Sequence, residues 1–289
     1  MAAAAQVLRN GAQASLTGRI GTLGATQVRF VFGLPFAVLF LIAALALSGA
    51  SLPSVTGESL GWAAAGALCQ IAATALMLHV MNLRAFGVAY AWIKTEPVLV
   101  ALLGVLVLQD RLAPLAWLAI GIVTVGVLVS STKPGEAGAL LREGRLIAMG
   151  LTGGVLFGLS AIAFRAAIEA VPEGGFVIRS LTILVASLTI QCLVLGAWLA
   201  LRDRQAFIGS LREWRMSLGA GFLGAAASAG WFMAFSLTPA ANVRTLALIE
   251  MPMAAILSRR VSGKRLARHE AVGMAVVLAG LALLLAAHA

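Results

Sequence analysis

Residues 94–112 read KTEPVLVALLGVLVLQDRL, and this stretch decides the fold class. It completes an apolar run at 86–108, and a second apolar run follows at 113–131. A helix that crosses a bilayer needs about 20 predominantly apolar residues, and it satisfies its backbone hydrogen bonds internally. The stretch therefore predicts membrane-spanning helices rather than the core of a soluble domain.

The composition of the whole chain agrees with this interpretation. Of 289 residues, 61% are hydrophobic and 11% are charged, and the mean hydropathy is +0.99. Membrane β-barrels alternate apolar and polar residues, whereas the apolar runs here are continuous. The net charge of +10 would suggest nucleic acid as a partner for a soluble protein. Here the basic residues lie mostly between apolar runs, so we expect membrane lipid as a partner and no nucleic acid.

The pattern predicts an all-α integral membrane protein of about ten transmembrane helices. The first span is short for a full crossing and contains Arg9 and Asn10. We therefore expect either a start upstream of Met1 or a first helix that enters only part of the bilayer. The predicted spans are 1–16, 24–48, 58–81, 86–108, 113–131, 146–168, 176–201, 215–237, 240–258 and 269–287.

The two halves of the chain resemble each other. Residues 248–266 read LIEMPMAAILSRRVSGKRL, and a shift of 154 places Glu96 on Glu250 and Gly126 on Gly280. Each half holds five spans, and an odd number of spans ends on the opposite side of the membrane from its start. We therefore predict two inverted five-helix repeats, an architecture typical of alternating-access carriers. The predicted domains are 1–131, a cytoplasmic linker at 132–145, and 146–289.

The distribution of basic residues predicts the orientation in the membrane. The gaps after the odd-numbered spans, counted with Arg215 at the first position of span eight, hold fourteen Lys and Arg residues. The gaps after the even-numbered spans hold only Arg111. Because basic loops stay in the cytoplasm, we expect the odd-numbered gaps to be cytoplasmic. Ten complete spans would then place both termini outside.

Charged residues inside the spans are the candidate functional groups. A charge at the bilayer centre costs about 2.5–3.5 kcal/mol on insertion scales, so it needs a partner or a wet cavity. Arg29 and Arg179 either snorkel to the headgroups or form an anion clamp or ion pair. Arg9 and Arg165 occupy matching positions, and the simpler alternative for Arg165 is a pair with Glu169 one turn on.

Spans four and nine carry the most informative cluster. Each holds a base, an acid and a proline near mid-span, and proline breaks or kinks a helix. Matched broken helices indicate a transport site, although a buried structural network is the alternative. Neighbouring positions on a helix do not face each other, so we expect Lys94 and Glu96 to pair across helices. Tyr90 and Trp92 in span four either line a cavity or pack against neighbouring helices. The other residues of the cluster are Lys94, Glu96, Pro97, Arg244, Glu250 and Pro252.

These motifs resemble the EamA type of the drug/metabolite transporter superfamily, over nearly the whole chain. The first copy has Pro97, then Asp110-Arg111-Leu112, then Gly121 and Gly126. The second copy has Pro252, Arg265-Leu266, Gly273 and Gly280, with Lys264 where the acid is usual. The resemblance implies a secondary carrier, often an exporter of amino acids, metabolites or drugs.

The expected function is transport of a small anionic or zwitterionic metabolite between two rocking repeats. Glu96 and Glu250 are the candidate proton carriers, because burial disfavours the charged form of a carboxylate. We expect no cofactor, no metal and no catalytic residue, in a monomer or homodimer of the bacterial inner membrane. The alternatives are a lipid-modifying membrane enzyme, assembled from Lys94, Glu96, Arg244 and Glu250, and a scaffold or sensor that transports nothing.

Overall fold

A computed structural model describes residues 2–81, 93, 96–131, 144–253 and 267–286. The side chains of residues 7–19, 81, 131, 146, 215 and 216 are outside this description. Within the described ranges the chain is helical, with turns between the helices and no strand. The helices are α1 (Ala2–Val31), α2 (Leu34–Ser48), α3 (Gly57–Met81), α4 (Glu96–Leu108), α5 (Pro114–Ser131), α6 (Gly144–Glu169), α7 (Phe176–Arg202), α8 (Arg204–Arg212), α9 (Trp214–Phe235), α10 (Ala240–Ala247) and α11 (Arg268–Ala286).

The prediction of an all-helical, multi-span membrane protein is confirmed. In the described part of the chain, six segments are long and apolar enough to cross a membrane, and two shorter apolar helices accompany them. The six are Ile20–Ser48, Gly57–Val80, Ile147–Glu169, Phe176–Arg202, Ser217–Phe235 and Arg268–Ala286, and the shorter two are Glu96–Leu108 and Pro114–Ser130.

The N-terminal segment differs in detail from the predicted spans. Helix α1 continues past residue 16, to a kink at Gly21, where φ is 72°, a conformation that glycine adopts without steric cost. The span Ile20–Ser48 is divided between α1 and α2 at residues 32–33. Pro35 lies two positions later and cannot donate a backbone hydrogen bond, which explains the division.

Helix α8 was not expected from the sequence, because its segment was interpreted as the gap between spans seven and eight. It begins after Asp203, whose Oδ1 accepts a hydrogen bond from the Ala206 N–H at 3.0 Å. This is an N-cap, which satisfies one of the free N–H groups of the first turn. A nine-residue helix with an arginine at each end and polar residues between its apolar ones has no long apolar run, so the pattern of spans does not reveal it.

The chain divides into two compact units. Unit 1 holds Met1–Leu78 and Ser160–Thr238, and unit 2 holds His79–Leu159 and Pro239–Ala289. Each unit therefore takes residues from both predicted halves, and α6 contributes to both. The division into two repeats remains a prediction.

Unit 1 is built around α1, α7 and α9, which contact one another, and α8 packs on α1 and α7. Small residues allow the close approaches. A Cβ added to Gly66 would lie 2.6 Å from the ring of Phe164, and Phe164 in turn packs on Phe232 with ring centroids 4.7 Å apart. Small residues opposite large rings are how helices pack closely where lipid provides no hydrophobic driving force.

Unit 2 is held by the contact between α5 and α11, which have glycines at their interface. A Cβ on Gly126 would lie 2.7 Å from the Val277 nitrogen, and one on Gly280 would lie 3.0 Å from the Val123 nitrogen. The shift of 154 that relates the halves in sequence also relates these two contacts, since it carries Gly126 to Gly280 and Val123 to Val277. The contact is therefore reciprocal. Gly121 differs from the other motif glycines, because a Cβ there would meet nothing within 4 Å.

Candidate functional site

Span nine is interrupted one turn before its proline. Helix α10 ends at Ala247, residues 248–249 form a turn, and residues 250–253 are helical again. The Leu248 carbonyl accepts from the Met251 N–H at 3.0 Å, because Pro252 has no N–H to donate to it. The break lies next to Glu250, where the sequence predicts it.

Span four is described from Glu96 onward. Helix α4 carries Glu96 and Pro97 in its first turn, and both are buried. A proline near the start of a helix needs no intrahelical partner for its missing N–H. Tyr90, Trp92 and Lys94 lie outside the described residues, so the predicted pairing of Lys94 is untested.

Glu96 and Arg244 form a two-pronged ion pair within unit 2. Arg244 Nη2 donates to Glu96 Oε2 at 2.7 Å, and Arg244 Nε donates to Glu96 Oε1. The side chains are only 7% and 19% exposed, respectively. Glu96 thus pairs across helices, as the spacing on α4 predicts, and its partner comes from span nine.

An aromatic ring lies beside the pair. The Arg244 Cζ lies 5.8 Å from the centroid of the Phe157 ring, which is within reach of a cation–π attraction. Gly158 lies against α4, because a Cβ added to it would be 3.0 Å from Val100 Cγ2. Glu250 is 4% exposed, so a second carboxylate is buried in the same unit.

This arrangement can exchange charged partners. A guanidinium presents its N–H groups as a planar fork that matches any carboxylate, so a substrate carboxylate can replace that of Glu96. Removing one member of a buried pair without replacement leaves an uncompensated charge. Separating Glu96 from Arg244 therefore requires a ligand or a proton that compensates the charge left behind.

A second polar region lies inside unit 1. Gln191 Nε2 donates to Gln70 Oε1 at 2.8 Å, and these residues lie near the middle of the spans Phe176–Arg202 and Gly57–Val80. Ser187, one turn before Gln191, is 1% exposed. In the described part of the chain, the Oγ of Ser187 and the Oε1 of Gln191 find no hydrogen-bond partner. Polar groups buried in this way cost free energy.

The arginines near the starts of spans two and seven contribute to unit 1. Arg29 Nη1 donates to Thr74 Oγ1 at 3.3 Å, so Arg29 turns toward α3 rather than only toward a headgroup. Arg179 is half-buried, and its Nε lacks a hydrogen-bond partner among the residues described.

Arg165 pairs with an acid on its own helix. Arg165 Nε donates to Glu169 Oε1 at 2.8 Å, and the Glu169 side chain is 48% exposed. This is the local pair that the spacing allows as the simpler alternative. The side chain of Arg9 is outside the description.

Sequence reasoning missed Gln191 and Phe157. Charge is the property that singles out the predicted site residues within the spans. Gln191 is a neutral amide inside a long apolar run, and Phe157 has the same apolar pattern as a packing residue. A polar residue near mid-span was the available signal for Gln191. Among the described residues, no group of three His, Cys, Asp or Glu side chains could hold a metal ion.

Residues 144–286 match the model of the EamA-like transporter family. Through this segment the chain belongs to that family. The family is part of the drug/metabolite transporter superfamily, so the resemblance deduced from Pro252, Gly273 and Gly280 is confirmed, and the EamA-like chain is a multi-pass membrane transporter. The resemblance of the first half, with Pro97 and Gly126, lies outside the matched segment.

A solved structure shares the fold of the EamA-like chain. This protein, titled only as a crystal structure of a protein, aligns over 97% of this chain and 93% of its own, with a TM-score of 0.69 and 16% identity. At that identity the likeness concerns the fold alone. No curated protein matches the chain.

Proposed function

We propose that the EamA-like chain is a secondary transporter that exports a small zwitterionic or anionic metabolite by alternating access of two inverted repeats. The Glu96–Arg244 pair carries this proposal. A buried ion pair stabilises a fold weakly, because the desolvation of both charges offsets their attraction. Its place beside a broken helix supports a role in binding.

A zwitterion is the substrate that fits the pair best. Its carboxylate can bind Arg244 while its ammonium group binds Glu96, so each buried charge keeps an opposite partner. A neutral solute would leave both charges unpaired, and an anion alone would leave Glu96 unpaired. The charge balance therefore favours amino-acid-like compounds.

Proton coupling follows for an anionic substrate. The anion would take the place of Glu96 on Arg244, and a proton would neutralise the released carboxylate. Glu250, which is also buried, is the second candidate proton carrier. Only the mechanism with an anionic substrate moves a proton, so the response of transport to a pH gradient distinguishes it from the mechanism with a zwitterion.

The proposed location is the bacterial inner membrane, with the basic odd-numbered loops in the cytoplasm. The excess of Arg over Lys and the abundance of Ala and Gly support a bacterial origin. The positive-inside rule supports the orientation, and the family resemblance supports export.

The test is efflux from proteoliposomes loaded with radiolabelled amino acids in one set and radiolabelled monocarboxylates in another, with and without a pH gradient. Glu96→Gln mimics a protonated Glu96. With a zwitterionic substrate we expect it to reduce efflux by at least tenfold. With an anion and a proton we expect efflux to persist and to lose its dependence on the pH gradient.

Matched variants complete the test. Arg244→Gln should abolish efflux under either mechanism, whereas Glu58→Gln and Arg268→Gln change exposed residues and should leave it intact. Wild-type efflux in both Glu96→Gln and Arg244→Gln would refute this site. Unchanged pH dependence in both Glu96→Gln and Glu250→Gln would refute proton coupling. No efflux of any solute by the wild type would favour the scaffold alternative.

A further inference from the structure

Helix α8 lies at the boundary of the membrane, because it joins the ends of two candidate spans. The span of α7 ends at Arg202, and the span within α9 begins at Ser217. Trp198 and Trp214 flank the helix and are 47% and 50% exposed. Exposed tryptophans are typical of the headgroup region of a bilayer, so α8 lies at that depth.

The faces of α8 suit an interface rather than water. Ala206 and Ser210 are buried against the protein, while Ile208 and Leu211 are exposed by 38% and 42%. Helices that lie in the membrane interface combine exposed apolar residues with basic ones in this way. The exposed basic residues of this segment are Arg202, Arg204 and Arg212.

Two carboxylates belong to the same segment. Asp203 caps the helix through its hydrogen bond with the Ala206 N–H, and Glu213, at the other end, makes a contact of its own. Three arginines against two acids leave a positive charge on this segment, and the Asp203 carboxylate already caps the helix.

A cavity of about 620 Å³ separates α8 from the kink of α1. Its lining includes Ile20 and Gly21 on α1, the N-cap residue Asp203, and Gln205, Ile208 and Arg212 on α8. Asp203 is the one acid in this lining, and its Oδ1 accepts the hydrogen bond from the Ala206 N–H. A volume of this order holds a small ligand or a headgroup. A Cβ on Gly209 would lie 3.0 Å from Ile20 Cγ2, so the two helices touch at one end of the cavity.

We propose that this cavity binds the headgroup of an anionic phospholipid. The phosphate would bind the Arg212 guanidinium, Gln205 would hydrogen-bond to the glycerol part, and the acyl chains would follow the exposed Ile208 and Leu211. Arg212 carries the attraction to negative charge, and the apolar residues distinguish a lipid from a soluble phosphate. This site is separate from the Glu96–Arg244 pair and does not depend on the proposed transport.

The experiment measures thermal unfolding of the purified full chain in detergent, with added phosphatidylglycerol, phosphatidylcholine or glycerol 3-phosphate. Phosphatidylglycerol should raise the melting temperature of the wild type by about 2–4 °C. Phosphatidylcholine and glycerol 3-phosphate should raise it by less than a quarter of that shift. Arg212→Gln should lose at least half of the shift, and Arg212→Lys should keep most of it.

Arg268→Gln is the matched control, because Arg268 is also an exposed arginine at a helix end. It should respond to phosphatidylglycerol as the wild type does. An equal response in Arg212→Gln and the wild type would overturn the proposal. An equal response to phosphatidylcholine would also overturn it, and a full shift with glycerol 3-phosphate would show a soluble-anion site instead of a lipid site.

Discussion

At the scale of single residues, Glu96 and Arg244 form a buried ion pair in unit 2. Both polar ends are removed from solvent, with side-chain exposures of 7% and 19%. In such surroundings each charge depends on the other, and removing one of them costs about 3–5 kcal/mol because the remaining charge has no partner. If the pair binds the substrate as proposed, stability and transport are coupled at these two residues.

A double-mutant cycle tests that dependence. Glu96→Gln and Arg244→Gln should each lower the free energy of unfolding by about 3–5 kcal/mol. The double variant should recover at least half of the loss expected from adding the two, since it leaves no unpaired charge. Unfolding in mixed micelles, followed by circular dichroism, measures this, and strictly additive losses would show that the two side chains act independently.

At the scale of elements, the glycines between α5 and α11 determine how closely those helices approach. A Cβ on Gly273 would lie 2.6 Å from the carbonyl oxygen of Gly126, and backbone atoms cannot move aside as a flexible side chain can. The helices would have to separate, which would also disturb the cluster of Val123, Val127, Val277 and Leu281.

Two alanine substitutions should have opposite effects. Gly273→Ala should destabilise the protein by about 1–3 kcal/mol through overpacking. Gly121→Ala, on α5 with open space around it, should stabilise it by up to about 1 kcal/mol, because alanine is the better helix former. The same unfolding measurement applies, and destabilisation by both variants would mean that the contact between α5 and α11 is not the cause.

The sequence predicts most of these elements but not all of their contacts. Apolar runs define the long spans, and Pro252 predicts the interruption before it, because both effects are local. The partner of Glu96 is 148 positions away, so spacing on one helix predicts that it pairs across helices but does not name Arg244. Helix α8 was not predicted because its local pattern is weak: nine residues of mixed polarity do not differ from a loop.

At the scale of the whole molecule, the proposed orientation in the membrane is the feature most open to test. Basic residues concentrate in the odd-numbered gaps, and the exposed residues Ser54 and Gln205 lie in gaps two and seven. The positive-inside rule therefore assigns them to opposite sides of the membrane.

Single cysteines at these positions should report the two sides. In a background without Cys69 and Cys192, Ser54→Cys should react with an impermeant maleimide in intact cells. Gln205→Cys should react only after the membrane is permeabilised. Mass shifts on a denaturing gel measure the labelling, and the reverse pattern would invert the proposed orientation.

The interleaved units set an order for synthesis at the ribosome. Unit 1 has all of its residues once Thr238 has been made, whereas unit 2 still lacks Pro239–Ala289. Glu96 enters the membrane long before Arg244 exists, and at about 5–20 residues per second the wait lasts about 7–30 s. A carboxylate cannot stay charged and alone in lipid for that time without cost. The nascent chain must therefore keep Glu96 protonated, or hold it near water or the translocon, until Arg244 is made. The last segment then both completes unit 2 and supplies the positive partner of that carboxylate.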